Sequence, residues 1–231
     1  MGGTGMNAWR QRGTRWWGLI LVGALLAGAC AGGSEDQSVA EGPAAEPESE
    51  RAPVEELPAS ADKWSLWTHG TQLRGANLWQ RIVVPEVDGP DFLGSGYIGP
   101  PVEPSDLEAL AALGANVINL SHPGLFTERL PYVVDEQAQA NLDRLIDMAA
   151  QADLFVVITF RTGPGRSDFT FYRDGAGDWF DEDLLIETVW TEAEAQDAWA
   201  EMWRYTAERY RDNPVVVGYD LMCEPNGEGI A

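Results

Sequence analysis

Four short apolar runs, separated by longer segments of helical periodicity, limit what this chain can fold into. They lie in LRGANLW (73–79), ANVINLSH (115–122), LFVVITF (154–160) and VVVGYDLM (215–222). A run that is apolar at nearly every position is a strand buried on both faces, a property of parallel sheets whose crossovers cover them. Between the runs, SDLEALAALG has the capping pair Ser105 and Glu108 and stops at Gly114, which predicts a helix. DEQAQANLDRLIDMAAQA places Leu142, Leu145, Ile146 and Ala149 on one helical face. TEAEAQDAWAEMWRYTAERYRDNP has a second capping pair, Thr191 and Glu194. It aligns Trp199, Met202, Trp203, Thr206 and Tyr210 on one stripe and ends at Asn213 and Pro214. Residues 161–190 read as a long loop. This order predicts an α/β fold with right-handed crossovers, either an open doubly wound sheet or a (β/α)8 TIM barrel. No GxGxxG turn follows the first strand, which counts against the open dinucleotide-binding form.

The N-terminus has a different character. Arg10, Arg12 and Arg15 precede WWGLILVGALLAGA and then Cys30, the layout of a signal peptide over residues 1–29 whose apolar stretch is short for a bilayer span. LLAGAC resembles a bacterial lipobox, which makes Cys30 the expected lipid anchor to a membrane; plain secretion and a retained membrane helix are the alternatives. Residues 30–62 are rich in Ala, Glu, Pro and Ser and contain no aromatic residue, so they are expected to form a disordered tether to a folded domain at 63–231. An extracytoplasmic location follows from that reading. The formal net charge of −22 argues against nucleic acid as a partner, because counterion release needs a basic surface. With two cysteines and two histidines in the whole chain, neither a disulfide framework nor a metal or other cofactor is expected.

In a parallel α/β fold the chemistry gathers where the strands end. Those ends carry Asn77 and Trp79, then Ser121 and His122, then Arg161, then Glu224. In order and spacing, LRGANLW, LGANVINL, LFVVITF and NPVVVGYDLMCEPNG resemble the first four barrel strands of glycoside hydrolase family 5, the cellulase-like retaining glycosidases. The Asn-Glu-Pro motif of that family stands here as Cys223-Glu224-Pro225.

The resemblance implies a (β/α)8 barrel of which this chain holds about the first four units, and a carbohydrate substrate in the form of a β-linked glycan or glycoconjugate. It makes Glu224 the catalytic acid/base. It puts the nucleophile on a seventh strand, so a chain of four strands is expected to be a truncated and inactive half. Retention requires two carboxyl groups about 5 Å apart, and an acid/base needs burial or a carboxylate neighbour to raise its pKa. Asn77, Trp79, His122, Arg161 and Cys223 are the expected substrate-binding residues. Cys223 stands where the family has asparagine, and Asn119 and Arg161 stand where it has arginine and histidine. A second reading is a surface barrel that binds carbohydrate without catalysis, and a third is a metal-dependent barrel hydrolase, for which no ligand set is visible.

Several residues have competing roles. His122 in SHPG is either a substrate contact or a plain turn histidine. Arg161, Arg166 and Asp168 either bind sugar hydroxyls or form an internal ion pair that holds the long loop. Trp79, Trp179 and Trp190 are candidate stacking faces, whereas Trp199 and Trp203 belong to a buried stripe.

Overall fold

The computed structural model describes residues 63–227 apart from Thr71 and Pro90. The signal peptide, Cys30 and the tether therefore lie outside the described residues. Within them run α1 (Trp64–Thr68), β1 (Gly75–Trp79), β2 (Arg81–Ile82), α2 (Pro85–Asp88), β3 (Ile98–Gly99) and α3 (Pro104–Ala112). They are followed by β4 (Val117–His122), α4 (Glu136–Gln151), β5 (Phe155–Phe160), α5 (Ala193–Tyr210) and β6 (Val216–Asp220). The four predicted strands form one parallel sheet in the order β1-β4-β5-β6, and β2 pairs with β3 in a small antiparallel hairpin that the sequence did not announce.

The placement of the helices decides between the two predicted architectures. Leu107 and Ala111 of α3, Leu142, Leu145, Ile146 and Ala149 of α4, and Trp199, Met202 and Tyr210 of α5 share one core with Ile118, Leu120, Val156, Ile158 and Val216 of the sheet. A doubly wound sheet carries helices on both faces. Here all three crossovers pack on one face, as in the wall of a barrel. Each fully buried Leu or Ile in that core contributes roughly 1.5–3 kcal/mol relative to exposure. On the other face, among the described residues, only the short α1 closes one end, where Leu66 packs on Phe155 and Val217, and the Trp67 indole N–H donates to Val217 O at 3.0 Å.

Two of the predicted caps are displaced. Helix α3 begins at Pro104 with Glu103 as N-cap, and the reciprocal box joins Glu103 and Asp106, not Ser105 and Glu108. Proline is suited to the first helical position because it lacks the N–H that would be orphaned there, so it draws the helix start toward itself. Helix α5 begins at Ala193 without a side-chain cap. A 3₁₀ turn over Thr188–Trp190 ends on the Thr191 and Glu192 amides, which both donate to Thr188 O, and this leaves Thr191 no role as a cap. At α4 the Asp135 carboxylate accepts from Gln137 N and Ala138 N, at 3.0 and 2.9 Å. Gly114 follows α3 at φ +90, the left-handed stop its position predicted.

Residues 161–190 are less a loop than a folded plug. They hold three 3₁₀ turns and bury Phe169, Phe180, Ile186 and Val189 together with Arg161, Thr162, Arg166, Ser167, Asp168 and Thr170.

Candidate active site

A polar row crosses the sheet face that α3, α4 and α5 leave uncovered. Asn119 Nδ2 donates to Asn77 Oδ1 at 3.1 Å, Thr159 Oγ1 donates to Asn119 Oδ1 at 2.5 Å, and Thr159 Oγ1 lies 3.4 Å from Asp220 Oδ2. Asn77 is thus in mid-strand, in register with Asn119, and not at the strand end where the sequence reading put it. Trp79 is the true end of β1, in register with Ser121.

At the mouth, Arg161 Nε donates to Asp168 Oδ1 at 2.7 Å and its guanidinium lies 4.1 Å over the Phe171 ring and 5.8 Å from the Trp79 ring. Its Nη1 reaches Cys223 Sγ at 3.8 Å, and the Ser121 hydroxyl approaches the same sulfur at 4.0 Å. The ends of all four strands therefore converge, with Trp79, Ser121, Arg161 and Cys223 within one cluster. Arg161 is nevertheless committed to an internal ion pair, the less functional of its two expected roles. Asp168 also has Arg81 Nε at 3.8 Å.

Glu224 follows directly. The Cys223 N–H donates to Phe160 O at 2.9 Å, which ties the turn after β6 to the end of β5. Glu224 has φ +42, in the left-handed region that non-glycine residues rarely adopt. Beneath it sits Arg166, whose residue exposure is 0%. Its Nη1 donates to Arg161 O at 2.9 Å and Cys223 O at 2.8 Å, and its Nη2 to Glu224 O at 2.8 Å and Asn226 Oδ1 at 3.1 Å. Asn226 is held in turn by Thr170 and by Arg173, and Arg173 is paired with Glu187 at 2.6 Å. Sequence reasoning missed Asn226, Arg173 and Glu187 entirely. Glu224 itself is exposed, so the described residues do not supply the burial expected around a catalytic acid.

His122 is a correction. It is fully buried; Nδ1–H donates to Pro123 O at 2.7 Å and Nε2 accepts from Asn141 Nδ2 at 2.9 Å. A carbonyl only accepts, so the proton is on Nδ1, the ring is neutral, and neither nitrogen is free for a sugar. Burial lowers its pKa to about 4. Burial pushes Glu128 the other way, up to about 8, with the Asp168 charge adding to the rise.

These two groups act on stability in opposite directions. Between 4.5 and about 8 the unfolded chain has released the Glu128 proton that the folded chain retains, so stability falls as pH rises through that window. Between 6.5 and about 4 the unfolded chain takes up a proton that buried His122 refuses, so stability falls as pH drops. Urea melts should therefore show a decline from pH 6.5 to 8 that is absent in Glu128→Gln and unchanged in His122→Gln. A decline that persists in Glu128→Gln would place its origin elsewhere.

The convergent mouth with its carboxylate-bearing turn can be compared with known families. The sequence matches the profile for Cellulase (glycosyl hydrolase family 5) over residues 68–231. The chain belongs to glycosyl hydrolase family 5. The matched span of this family 5 chain takes in all four sheet strands and the Glu224 turn, in keeping with a barrel wall covered by helices on one side. Among curated proteins it is 27% identical over 123 residues to a β-xylosidase of Phanerodontia chrysosporium, a match covering 52% of this chain and 24% of that protein. Among solved structures it is similar to an endogalactoceramidase, at 20% identity and TM-score 0.48, covering 67% of this chain and 40% of that one. It is also similar to endo-glycoceramidase II from Rhodococcus sp., at 22% identity and TM-score 0.44, covering 67% and 40%. This family 5 chain thus spans less than half the length of each of these relatives.

Proposed function

We propose that the whole protein is a retaining glycosidase of β-linked glycans or glycoconjugates with Glu224 as its general acid/base. The observation that carries this reading is the Glu224 turn, clamped at the end of β6 beside Trp79, Arg161 and Cys223. In the first step the Glu224 carboxyl gives its proton to the glycosidic oxygen as the C1–O bond breaks, and a second carboxylate bonds to C1 from the opposite face. In the second step Glu224 takes a proton from water, whose oxygen displaces that carboxylate and leaves the sugar in its original configuration. The partner carboxylate would come from the seventh strand that the resemblance implies. The β-xylosidase similarity supports a β-glycoside. The N-terminal layout supports export and lipidation at Cys30, with residues 31–62 as the tether; labelled palmitate incorporated by the natural chain and not by Cys30→Ala would test this.

The deciding experiment is proton NMR of the natural full-length protein acting on an aryl β-glycoside during the first minutes of turnover. The β-anomer is expected first; first appearance of the α-anomer would exclude retention. The Cys223 thiol, at the position of the family's asparagine and turned toward Arg161 and Ser121, favours a second reading as a non-catalytic carbohydrate-binding barrel. Sugar binding by calorimetry with no product would establish that reading instead.

A further inference from the structure

Arg166 is a fully buried arginine whose hydrogen bonds among the described residues all go to neutral oxygens and none to a carboxylate. Desolvating a guanidinium is costly, and an arrangement that tolerates it must supply oriented dipoles in return. Two of those dipoles are the carbonyls of Cys223 and Glu224. They belong to the two peptide planes that flank the Glu224 Cα, and because each peptide is rigid, pinning both planes fixes φ and ψ at that residue. The direction of its Cβ follows. Pro225 comes next and contributes no N–H, so the Glu224 carbonyl is the one hydrogen-bonding handle on the second plane. The φ of +42 that results is one an unrestrained glutamate would leave. The third carbonyl, of Arg161, anchors the same guanidinium to the end of β5, and the Phe171 and Trp190 rings lie 4.9 and 6.0 Å from it. Gly165, one residue earlier, has φ +71, and a Cβ there would stand 2.6 Å from Ala195 Cβ and 2.7 Å from Val189 N, so the segment carrying Arg166 is itself wedged in place. Although its pKa is lowered by burial to about 10, Arg166 stays charged at neutral pH.

We propose that Arg166 is the positioning residue for Glu224, holding the peptide planes on either side of it so that its carboxyl is aimed at the leaving oxygen of a bound glycoside. This rests on the hydrolase reading above. A lysine at the position keeps the charge but not the fork that spans adjacent carbonyls, and an error of about 1 Å in a catalytic group can cost on the order of 100-fold.

The test compares wild type and Arg166→Lys, in the natural full-length protein, across aryl β-glycosides of graded leaving-group acidity. For the poorest leaving groups kcat is expected to fall about 10- to 100-fold. For a dinitrophenyl glycoside, whose departure needs no proton, kcat/KM, which reports the first step, should stay within about threefold, while kcat and KM fall together because Glu224 must still activate water in the second step. Equal losses of kcat/KM across the series would reduce Arg166 to a general stabiliser and overturn the proposal. A readout independent of turnover is the labelling rate of Cys223 by a thiol reagent, followed on the peptide that carries Cys223 by mass spectrometry. It should rise about tenfold in Arg166→Lys under conditions where the protein stays folded, as expected of local opening without global unfolding, and an unchanged rate would refute the clamp. Should Arg166→Lys not fold, Asn226→Ala loosens the same guanidinium from its side-chain partner and should give the same leaving-group pattern at smaller size. If wild type cleaves none of the glycosides, the hydrolase reading fails, and the thiol rate still decides whether Arg166 holds the turn.

Discussion

Glu224→Gln is expected to lower kcat on a glycoside with a poor leaving group by about 10²- to 10⁴-fold while leaving the fold intact. The amide has the size of the carboxyl and reaches the same oxygen, but it has no proton to give. Without protonation the leaving group must depart as an anion, so the loss should grow with the pKa of the leaving group and nearly vanish for a dinitrophenyl glycoside in the first step. The second step would then limit turnover, because the same carboxylate activates water. Azide, which needs no deprotonation, should restore that step and yield a glycosyl azide of retained configuration. Glu224 is exposed, its hydrogen bond with Arg166 runs through the main chain, and its charge is the smallest of the influences on that guanidinium, so the substitution should move stability by no more than about 0.5 kcal/mol. Unchanged turnover would remove Glu224 from the mechanism. A loss of the same size for every leaving group would point to damage of the turn and not to a missing proton.

The sequence showed the parts of this fold that repeat and concealed the parts held by single long-range contacts. The sheet strands and helices α3, α4 and α5 were legible because their apolar periods are long enough to separate strand from helix. Their starts were less so. The capping pattern at Ser105 and at Thr191 is real, but Pro104 and the turn at Thr188–Trp190 chose other registers. The side of the sheet on which the helices pack has no local signature. Arg166 shows the limit most clearly. Its acceptors Cys223 O and Glu224 O lie 57 and 58 residues away and are main-chain carbonyls, which any residue type provides. His122 erred in the other direction. At the strand end it looked functional, yet Asn141 on α4 meets its ring nitrogen, a contact that depends on how the helix is docked.

Asp168→Ala is expected to cost about 3–5 kcal/mol of folding stability, the range for leaving a buried charge without its partner. Asp168 is 5% exposed and stands between two arginines: it accepts from Arg161 Nε at 2.7 Å, with Arg81 Nε at 3.8 Å on its other oxygen. An exposed ion pair would be worth 0–1 kcal/mol, and burial makes the difference. Arg81 keeps Asp88 as a partner, so the cost falls mainly on Arg161, whose remaining neighbours are the Cys223 sulfur and the Phe171 and Trp79 rings. A cavity of about 90 Å³ lined by Arg81, Glu128, Arg129 and Asp168 adjoins the site, and water entering it would bring the loss toward the lower end of the range. Urea unfolding at pH 7 measures the effect, and a loss below 1 kcal/mol would mean that the guanidinium is hydrated without Asp168. Replacing both partners, Arg161→Met with Asp168→Leu, should recover most of the loss, since an apolar pair leaves no charge unpaired. Asp168 also helps to hold the Glu128 pKa up, behind burial, so in Asp168→Ala the decline between pH 6.5 and 8 should become smaller without disappearing.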